Sequence, residues 1–346
     1  MKQTLHPLTE WVIQKIKAEY PNDVALLVAV EGASVNSDGH GEAFDYFVPA
    51  TPRGEELTQT FIIGGIGKDL YPRSWERMER TASLDDPATQ CLGNAKILYA
   101  RSQADIDKFT AIQQTLADNL NNPAFIYRKA LENLDMAMDL YRTMMFEERL
   151  YKVRGLAGYI HRYLTTATAC LNKTYRKAWH YGMLPEIAQW ETLPNRFAEY
   201  YQAILAASTV GELKSLAHLL IASARQFIAG HKPQANGAAQ TPNFQELADW
   251  YQELRTWWKR LYHFCDAQDA DASFYEACQL QGELDIVGNE FGLGEMDLLG
   301  CFDAANLLPL RKRAEELEKA IIAAIEGQSV TIRSYDTLAD FLANNQ

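Results

Sequence analysis

The sequence lacks the features that mark membrane, secreted and nucleic-acid-binding proteins. No apolar run approaches the roughly 20 residues that a membrane-spanning helix needs, and the first residues lack the basic head and long apolar core of a signal peptide. The formal net charge of −12 is the opposite of the basic footprint that a non-specific nucleic-acid binder requires. We therefore expect a cytoplasmic protein with neither a nucleic-acid nor a membrane partner.

Cysteine and histidine are also scarce. The five cysteines are scattered and form no CxxC pair: Cys91, Cys170, Cys265, Cys278 and Cys301. An odd number without paired spacing favours free thiols in a reducing compartment and disfavours a structural zinc site. The 7 histidines include no HExxH pattern and no i, i+4 pair, which argues against a histidine-based metal site.

The composition that remains is that of a folded globular protein. Apolar residues make up 47% and charged residues 23% of the chain, and 346 residues suffice for two domains that each bury a core. The clearest boundary is the turn at Asn121-Asn122-Pro123. We therefore predict two domains, residues 1–123 and 124–346.

The first predicted domain mixes strands with helices. Val24–Val30 is a nearly continuous apolar run, typical of a strand buried on both faces, and Phe44–Val48 is a second strand that prolines end. Further strands are predicted at Thr58–Ile63 and within Cys91–Arg101. After residue 123 the apolar period is helical. The predicted fold class is α+β: a small mixed sheet with flanking helices, then a helical-bundle domain with a short C-terminal strand–helix appendage.

The loop between the first two strands carries the most informative pattern. The apolar strand ends at a turn of small residues, Gly32-Ala33-Ser34, and the next strand carries Asp45. A turn of small residues lets backbone N–H groups approach a triphosphate closely. Carboxylates on the following strand can hold Mg²⁺, which orients and neutralises a transferring phosphoryl group. This order of elements is typical of nucleotidyl-transfer sites.

The stretch resembles the nucleotidyltransferase superfamily with a polymerase-beta-like fold, particularly the bacterial antibiotic adenylyltransferases. The family motif is an apolar residue, Gly, and Gly or Ser, followed after a loop by Asp-x-Asp. Here Gly32 stands at the glycine, Ala33 at the Gly/Ser position and Asp45 at the second aspartate, whereas Ala43 stands at the first. Later in the chain, Cys170–Tyr175 is similar to the Leu-Asn-x-x-Tyr helix of the adenylyltransferase C-terminal domains.

The resemblance implies transfer of a nucleoside monophosphate from an NTP to a hydroxyl on a small molecule or protein. It implies Asp45 as the catalytic metal ligand, and Mg²⁺ as the cofactor when the protein is active. Glu42 and Asp38 are the candidate replacement ligands, although the place of Glu42 next to Ala43 in a strand points it to the opposite face. The candidate nucleotide-binding residues are Gly32, Ala33, Ser34 and Lys68. Of these, Lys68 follows a glycine-rich stretch that lacks Walker spacing, and we interpret that stretch as a turn whose lysine can reach an anion.

Departures from the family pattern leave the activity open. Besides Ala43, the later family strand Ile-Leu-Tyr-Asp-Arg reads Ile97–Arg101 here, with Ala100 in place of its aspartate. One carboxylate is too few for two magnesium ions. The alternatives are an inactive regulator that binds a nucleotide or another small anionic ligand, and a helical interaction protein. Asp45 would then be an ordinary strand-end acid. The oligomeric state is open, with a homodimer among the compatible states.

One helix in the second half is basic in an otherwise acidic chain. Its cations, together with those that follow it, are Arg154, Arg162, Lys173, Arg176 and Lys177. Two interpretations fit this pattern: a solvated helix face, and a face that contacts phosphate or an acidic ligand.

Overall fold

The structure, a computed structural model, describes residues 5–30, 44–177, 183–233 and 242–344. Contacts divide the chain into two compact units, Met1–Gln234 and Ala235–Gln346. The boundary predicted at residue 123 falls inside the first unit, at a turn between two helices. No described helix has the length and apolar character needed to cross a membrane. All five cysteines are free thiols, as expected.

The first unit contains a mixed sheet, as predicted. Its strands in the described residues are β1 (Val24–Val30), β2 (Tyr46–Pro49), β3 (Gln59–Ile63), β4 (Ile66–Pro72) and β5 (Ala95–Ala100). Their order across the sheet is β3-β4-β2-β1-β5. The β2–β4 pair is parallel and the other pairs are antiparallel. Every residue of β1 is buried, in keeping with its continuous apolar run.

The glycine-rich stretch after β3 forms a turn, as interpreted, but a strand and not a loop follows it. Gly64 and Gly65 both have positive φ, +58° and +80°, and two such residues in a row are what a tight two-residue hairpin turn requires. β4 starts immediately afterwards, so Lys68 lies within a strand rather than in a loop. Pairing with β3 overrides the weak strand propensity of its glycine and charged residues.

Helices cover both faces of the sheet and give each face its own core. They are α1 (Pro7–Glu19), α2 (Trp75–Ala82), α3 (Gln90–Gly93) and α4 (Gln103–Leu120), with a short 3₁₀ turn at Pro52–Leu57. Alternation along the strands divides the side chains between the faces. Leu27 and Phe47 pack with Ile16 of α1, whereas Val28 and Tyr46 belong to the core formed with α2 and α4.

The rest of the first unit is a helical bundle. Its described helices are α5 (Pro123–Met145), α6 (Leu150–Leu171), α7 (Met183–Ile187), α8 (Phe197–Ala206) and α9 (Val210–Gly230). Asn122 caps α5, and Pro123 occupies its first turn, where a missing N–H costs nothing. A reciprocal capping box of Thr209 and Glu212 starts α9. These helices bury a continuous apolar core of their own.

The second unit is helical in its described residues. It contains α10 (Phe244–Asp266), α11 (Ala270–Glu290), α12 (Leu308–Gly327) and α13 (Leu338–Asn344), with a 3₁₀ turn at Leu299–Cys301. The predicted C-terminal strand near residue 330 is wrong, because this extended segment meets no strand among the described residues of the unit. Instead, Val330 and Ile332 pack on the helical core, and the Arg333 N–H donates to the Gln252 side chain.

Candidate functional site

Asp45 lies at the start of β2, beside the last residues of β1. Its backbone N–H donates to the carbonyl oxygen of Val28 at 2.8 Å, which continues the antiparallel β1–β2 pairing by one residue. The side chain is half-buried. The other residues predicted for this edge, Gly32, Ala33, Ser34, Asp38 and Glu42, lie outside the described residues, so their roles stay predictions.

Tyr71 of the neighbouring strand β4 contacts the Asp45 carboxylate. The Tyr71 hydroxyl donates to Asp45 Oδ2 at 3.0 Å, because the parallel β2–β4 register aligns Tyr71 with Tyr46, the residue after Asp45. Burial, followed by the charge of Asp45, raises the pKa of Tyr71, so the phenol keeps its proton at neutral pH. Tyr71 is therefore a fixed hydrogen-bond donor that orients the carboxylate.

A buried polar layer supports this pair. The Tyr46 hydroxyl donates to the carbonyl oxygen of Cys91 at 2.7 Å. Burial raises the pKa of the Cys91 thiol to about 11, which leaves it protonated and unreactive at neutral pH. The guanidinium of Arg73 lies over the Tyr46 ring, 5.5 Å from its centroid. Cys91 is fully buried and packs in the core beneath the sheet.

Arg73 and Asp86 form the charged centre of that layer. Arg73 is 2% exposed, and its Nη2 lies 3.2 Å from Asp86 Oδ1. Asp86 also accepts from Arg77 Nε at 2.8 Å and from the Ala88 N–H at 2.9 Å. Burial alone would raise the pKa of Asp86, but these donors and the charge of Arg73 hold it below its usual range. Asp86 is therefore ionised and compensates the buried guanidinium.

Lys68 and Asp69 lie on the part of β4 that precedes Tyr71. Because side chains alternate along a strand, Asp69 shares the Tyr71 face of β4 and Lys68 points to the opposite face. Both residues line an open depression on the β3–β4 hairpin. Asp69 is thus a second carboxylate on the strand that contacts Asp45. Sequence reasoning missed it because the start of β4 was interpreted as part of a turn, and no strand was predicted there.

The strand register places Ala100 away from Asp45. Ala100 pairs with Leu26, and Leu26 pairs with Val48, which is three residues beyond Asp45. Three residues of strand correspond to about 10 Å. The interpretation of Ala100 as a missing carboxylate of this site is therefore wrong, and the β5 residue opposite Val28 is Ile97.

The described residues alone do not make up a Mg²⁺ site. No three Asp, Glu, His or Cys side chains within them are close enough to hold a metal ion. Asp45 supplies one carboxylate, one oxygen of which already accepts the Tyr71 hydroxyl. Mg²⁺ prefers six oxygen ligands, several of which come from water and phosphate. Further donors would have to come from the ligand or from residues such as Glu42 that lie outside the described residues.

Comparisons with known proteins leave the family open. No protein-family model matches the sequence, and no curated protein matches it. Among solved structures, the chain is similar to a nucleotidyltransferase-like protein from Exiguobacterium sibiricum 255-15, with 14% identity and a TM-score of 0.37. The similarity covers 64% of this chain and 74% of that one. A TM-score this low leaves both family and function to be argued from the residues.

Proposed function

We propose that this chain is a nucleotidyltransferase-like protein that binds a nucleoside triphosphate where β1 ends and β2 begins. The observation that carries the proposal is the Asp45 N–H bond to Val28, which puts the acid beside the end of β1. The turn that the sequence predicts at Gly32 begins two residues after Val30, the last residue of β1. A phosphate bound by the backbone of that turn would therefore lie near a carboxylate, as nucleotide sites require.

The proposed reaction moves a nucleoside monophosphate to an acceptor hydroxyl on a small molecule or protein. The hydroxyl oxygen forms a bond to the α-phosphorus and releases its proton to water. The bond from the α-phosphorus to the oxygen that bridges it to the β-phosphate breaks, and pyrophosphate leaves with that electron pair. Asp45 is the proposed anchor for Mg²⁺ carried by the triphosphate, with Glu42 and Asp69 as candidate second carboxylates. What supports Asp69 is its place on β4, two residues before the tyrosine that contacts Asp45.

A second candidate function is nucleotide binding without turnover, as in a regulator. The observation that favours it is the Tyr71 hydroxyl on Asp45 Oδ2 at 3.0 Å. A metal ion that needs this oxygen would have to displace the hydrogen bond, and hydrogen bonds to charged groups contribute about 1.5–3 kcal/mol. The same site would then bind the nucleotide without a tightly held metal.

Isothermal titration calorimetry with ATP and GTP, with and without Mg²⁺, tests both functions. The key variant is Asp45→Asn, which removes the charge but keeps an oxygen that can accept from Tyr71. Asp107→Asn is the matched control, because Asp107 is an exposed acid on α4 whose side chain accepts from Gln103. We expect Mg²⁺ to tighten binding by at least about tenfold, or 1.4 kcal/mol, and Asp45→Asn to abolish that gain.

The other outcomes separate the alternatives. A nucleotide affinity that changes neither with Mg²⁺ nor in Asp45→Asn supports the regulator and contradicts the transferase. Loss of the Mg²⁺ gain in Asp69→Asn, with Mg²⁺-free affinity unchanged, assigns the second carboxylate to β4. If neither nucleotide binds, both functions fail, and a scaffold for protein interaction is what remains.

A further inference from the structure

Arg176 is a half-buried arginine whose guanidinium has no partner among the described residues. It follows α6, next to Tyr175, whose hydroxyl donates to Asn94 Oδ1 at 2.7 Å and so fixes this segment. The Nε of Arg176 is buried without a hydrogen-bond acceptor, and no described residue forms an ion pair or hydrogen bond with the guanidinium. A cation that loses water without gaining a partner costs free energy.

A second cation next to Arg176 adds to that cost. Burial first, and then the charge of Arg162, lower the pKa of Arg176. Arg162 is an exposed residue of α6, and no described residue pairs with its guanidinium either. Two like charges at short range repel each other, and an anion bound between them attracts both.

An aromatic stack forms the adjoining wall. The rings of His161 and Tyr201 are nearly parallel, with centroids 3.5 Å apart and an interplanar angle of 7°. Phe197 continues the stack, 5.5 Å from the His161 ring. Burial, followed by the charge of Arg176, lowers the pKa of His161 to about 3, so the imidazole is neutral at pH 7. The stack holds Tyr201, whose hydroxyl has no hydrogen-bond partner among the described residues.

One acid offsets part of this cost. Glu186 of α7 raises the pKa of Arg176 by its charge, but burial and the charge of Arg162 lower it further, so the net shift is downward. One Glu186 carboxylate oxygen accepts the backbone N–H of Lys177 at 2.6 Å. The charges around Arg176 therefore still disfavour its cation.

We infer that Arg162, Arg176 and the Tyr201 hydroxyl bind an oxyanion group, carried by a small ligand as a phosphate or a carboxylate. Arginine suits both groups because its planar fork of N–H donors matches two oxygens at once. The site goes beyond the proposed function, because its residues lie on α6, on α8 and after α6, and it needs no contribution from Asp45.

Thermal unfolding with inorganic phosphate, acetate or chloride at matched ionic strength tests the site. Phosphate or acetate should raise the Tm of the wild-type protein more than chloride does, and Arg176→Gln should abolish the difference. Without added anion, Arg176→Gln should unfold at the same temperature as the wild type or higher, because it removes an uncompensated cation. An arginine that only supports the structure would show the opposite, a lower Tm. Arg176→Lys keeps the positive charge but loses the planar fork of N–H donors, so it should retain part of the Tm difference between phosphate or acetate and chloride.

Two further variants complete the design. Lys173→Gln is the matched control, because it removes an exposed cation of the same segment and should leave the anion effect intact. Asp45→Asn should also leave it intact, which separates this inference from the proposed nucleotide site. If ATP affinity falls in Arg176→Gln as much as in Asp45→Asn, the oxyanion is a phosphate of that nucleotide. Equal Tm gains from phosphate, acetate and chloride, or a lower anion-free Tm in Arg176→Gln, would overturn the inference.

Discussion

Replacing Asp86 with asparagine should destabilise the sheet through the charge left on Arg73. Arg73 is 2% exposed and forms its ion pair with Asp86. Removing one partner of a buried pair costs about 3–5 kcal/mol. Asparagine keeps an oxygen for the Ala88 N–H, so the lower end applies, about 3 kcal/mol. The contact from Arg77, which is 45% exposed, adds little.

Hydrogen exchange measures this loss where it occurs. The amides of β1 (Val24–Val30) report the opening of the sheet separately from the second unit. We expect their opening free energy to fall by about 3 kcal/mol in Asp86→Asn and by less than about 0.5 kcal/mol in the exposed control Asp107→Asn. Adding Arg73→Met to Asp86→Asn removes the uncompensated cation and should recover part of the loss. A loss below about 1 kcal/mol, or a double variant weaker than the single one, would refute the reasoning.

Two more predictions address Asp45 and the helical bundle. Tyr71→Phe deletes the hydrogen-bond donor to Asp45. Urea titrations should then show a free energy of unfolding lower by about 1–2 kcal/mol, and an unchanged value would contradict this prediction. The pKa of His161 is about 3 in the folded protein and about 6.5 in the unfolded chain. Because the unfolded chain binds the proton more readily, the free energy of unfolding falls as the pH drops below about 6.5. Between pH 7 and pH 5 the wild type should lose about 2 kcal/mol more than His161→Phe, and identical pH profiles would contradict this.

Part of the fold follows directly from sequence patterns. The continuous apolar run of Val24–Val30 predicts a strand buried on both faces, and it forms the fully buried β1. The Asn121-Asn122-Pro123 turn, predicted as a domain boundary, lies inside the first unit, where a capped helix starts. Both the strand and the start of this helix depend on local chemistry: burial of an apolar run, a cap, and a proline in a first turn.

What the sequence could not show depends on pairing between distant residues. The β4 segment IGKDLYP has no strand pattern of its own, and only its pairing with β3 and β2 makes it one. The contact of Tyr71 with Asp45 and the shared face of Asp69 therefore stay hidden until β4 is placed. The register that separates Ala100 from Asp45 is likewise a property of the assembled sheet.

The candidate sites were predictable to different degrees. Sequence reasoning selects Asp45, and the structure places it beside the end of β1. It also finds the basic stretch that contains Arg162 and Arg176. It could not distinguish a solvated face from two guanidinium groups that no described residue pairs with. The burial of Arg176 and the His161–Tyr201 stack arise only when α6 and α8 pack together.

A crystal structure with Mg²⁺ and a non-hydrolysable ATP analogue, at a concentration that saturates binding in solution, tests the central claim most directly. We predict that the triphosphate lies between the turn predicted at residues 32–34 and Asp45, with an Asp45 carboxylate oxygen within about 4 Å of the metal or a phosphate oxygen. An analogue bound away from the β1–β2 edge, with the Tyr71–Asp45 contact untouched and no phosphate beside it, would contradict the account.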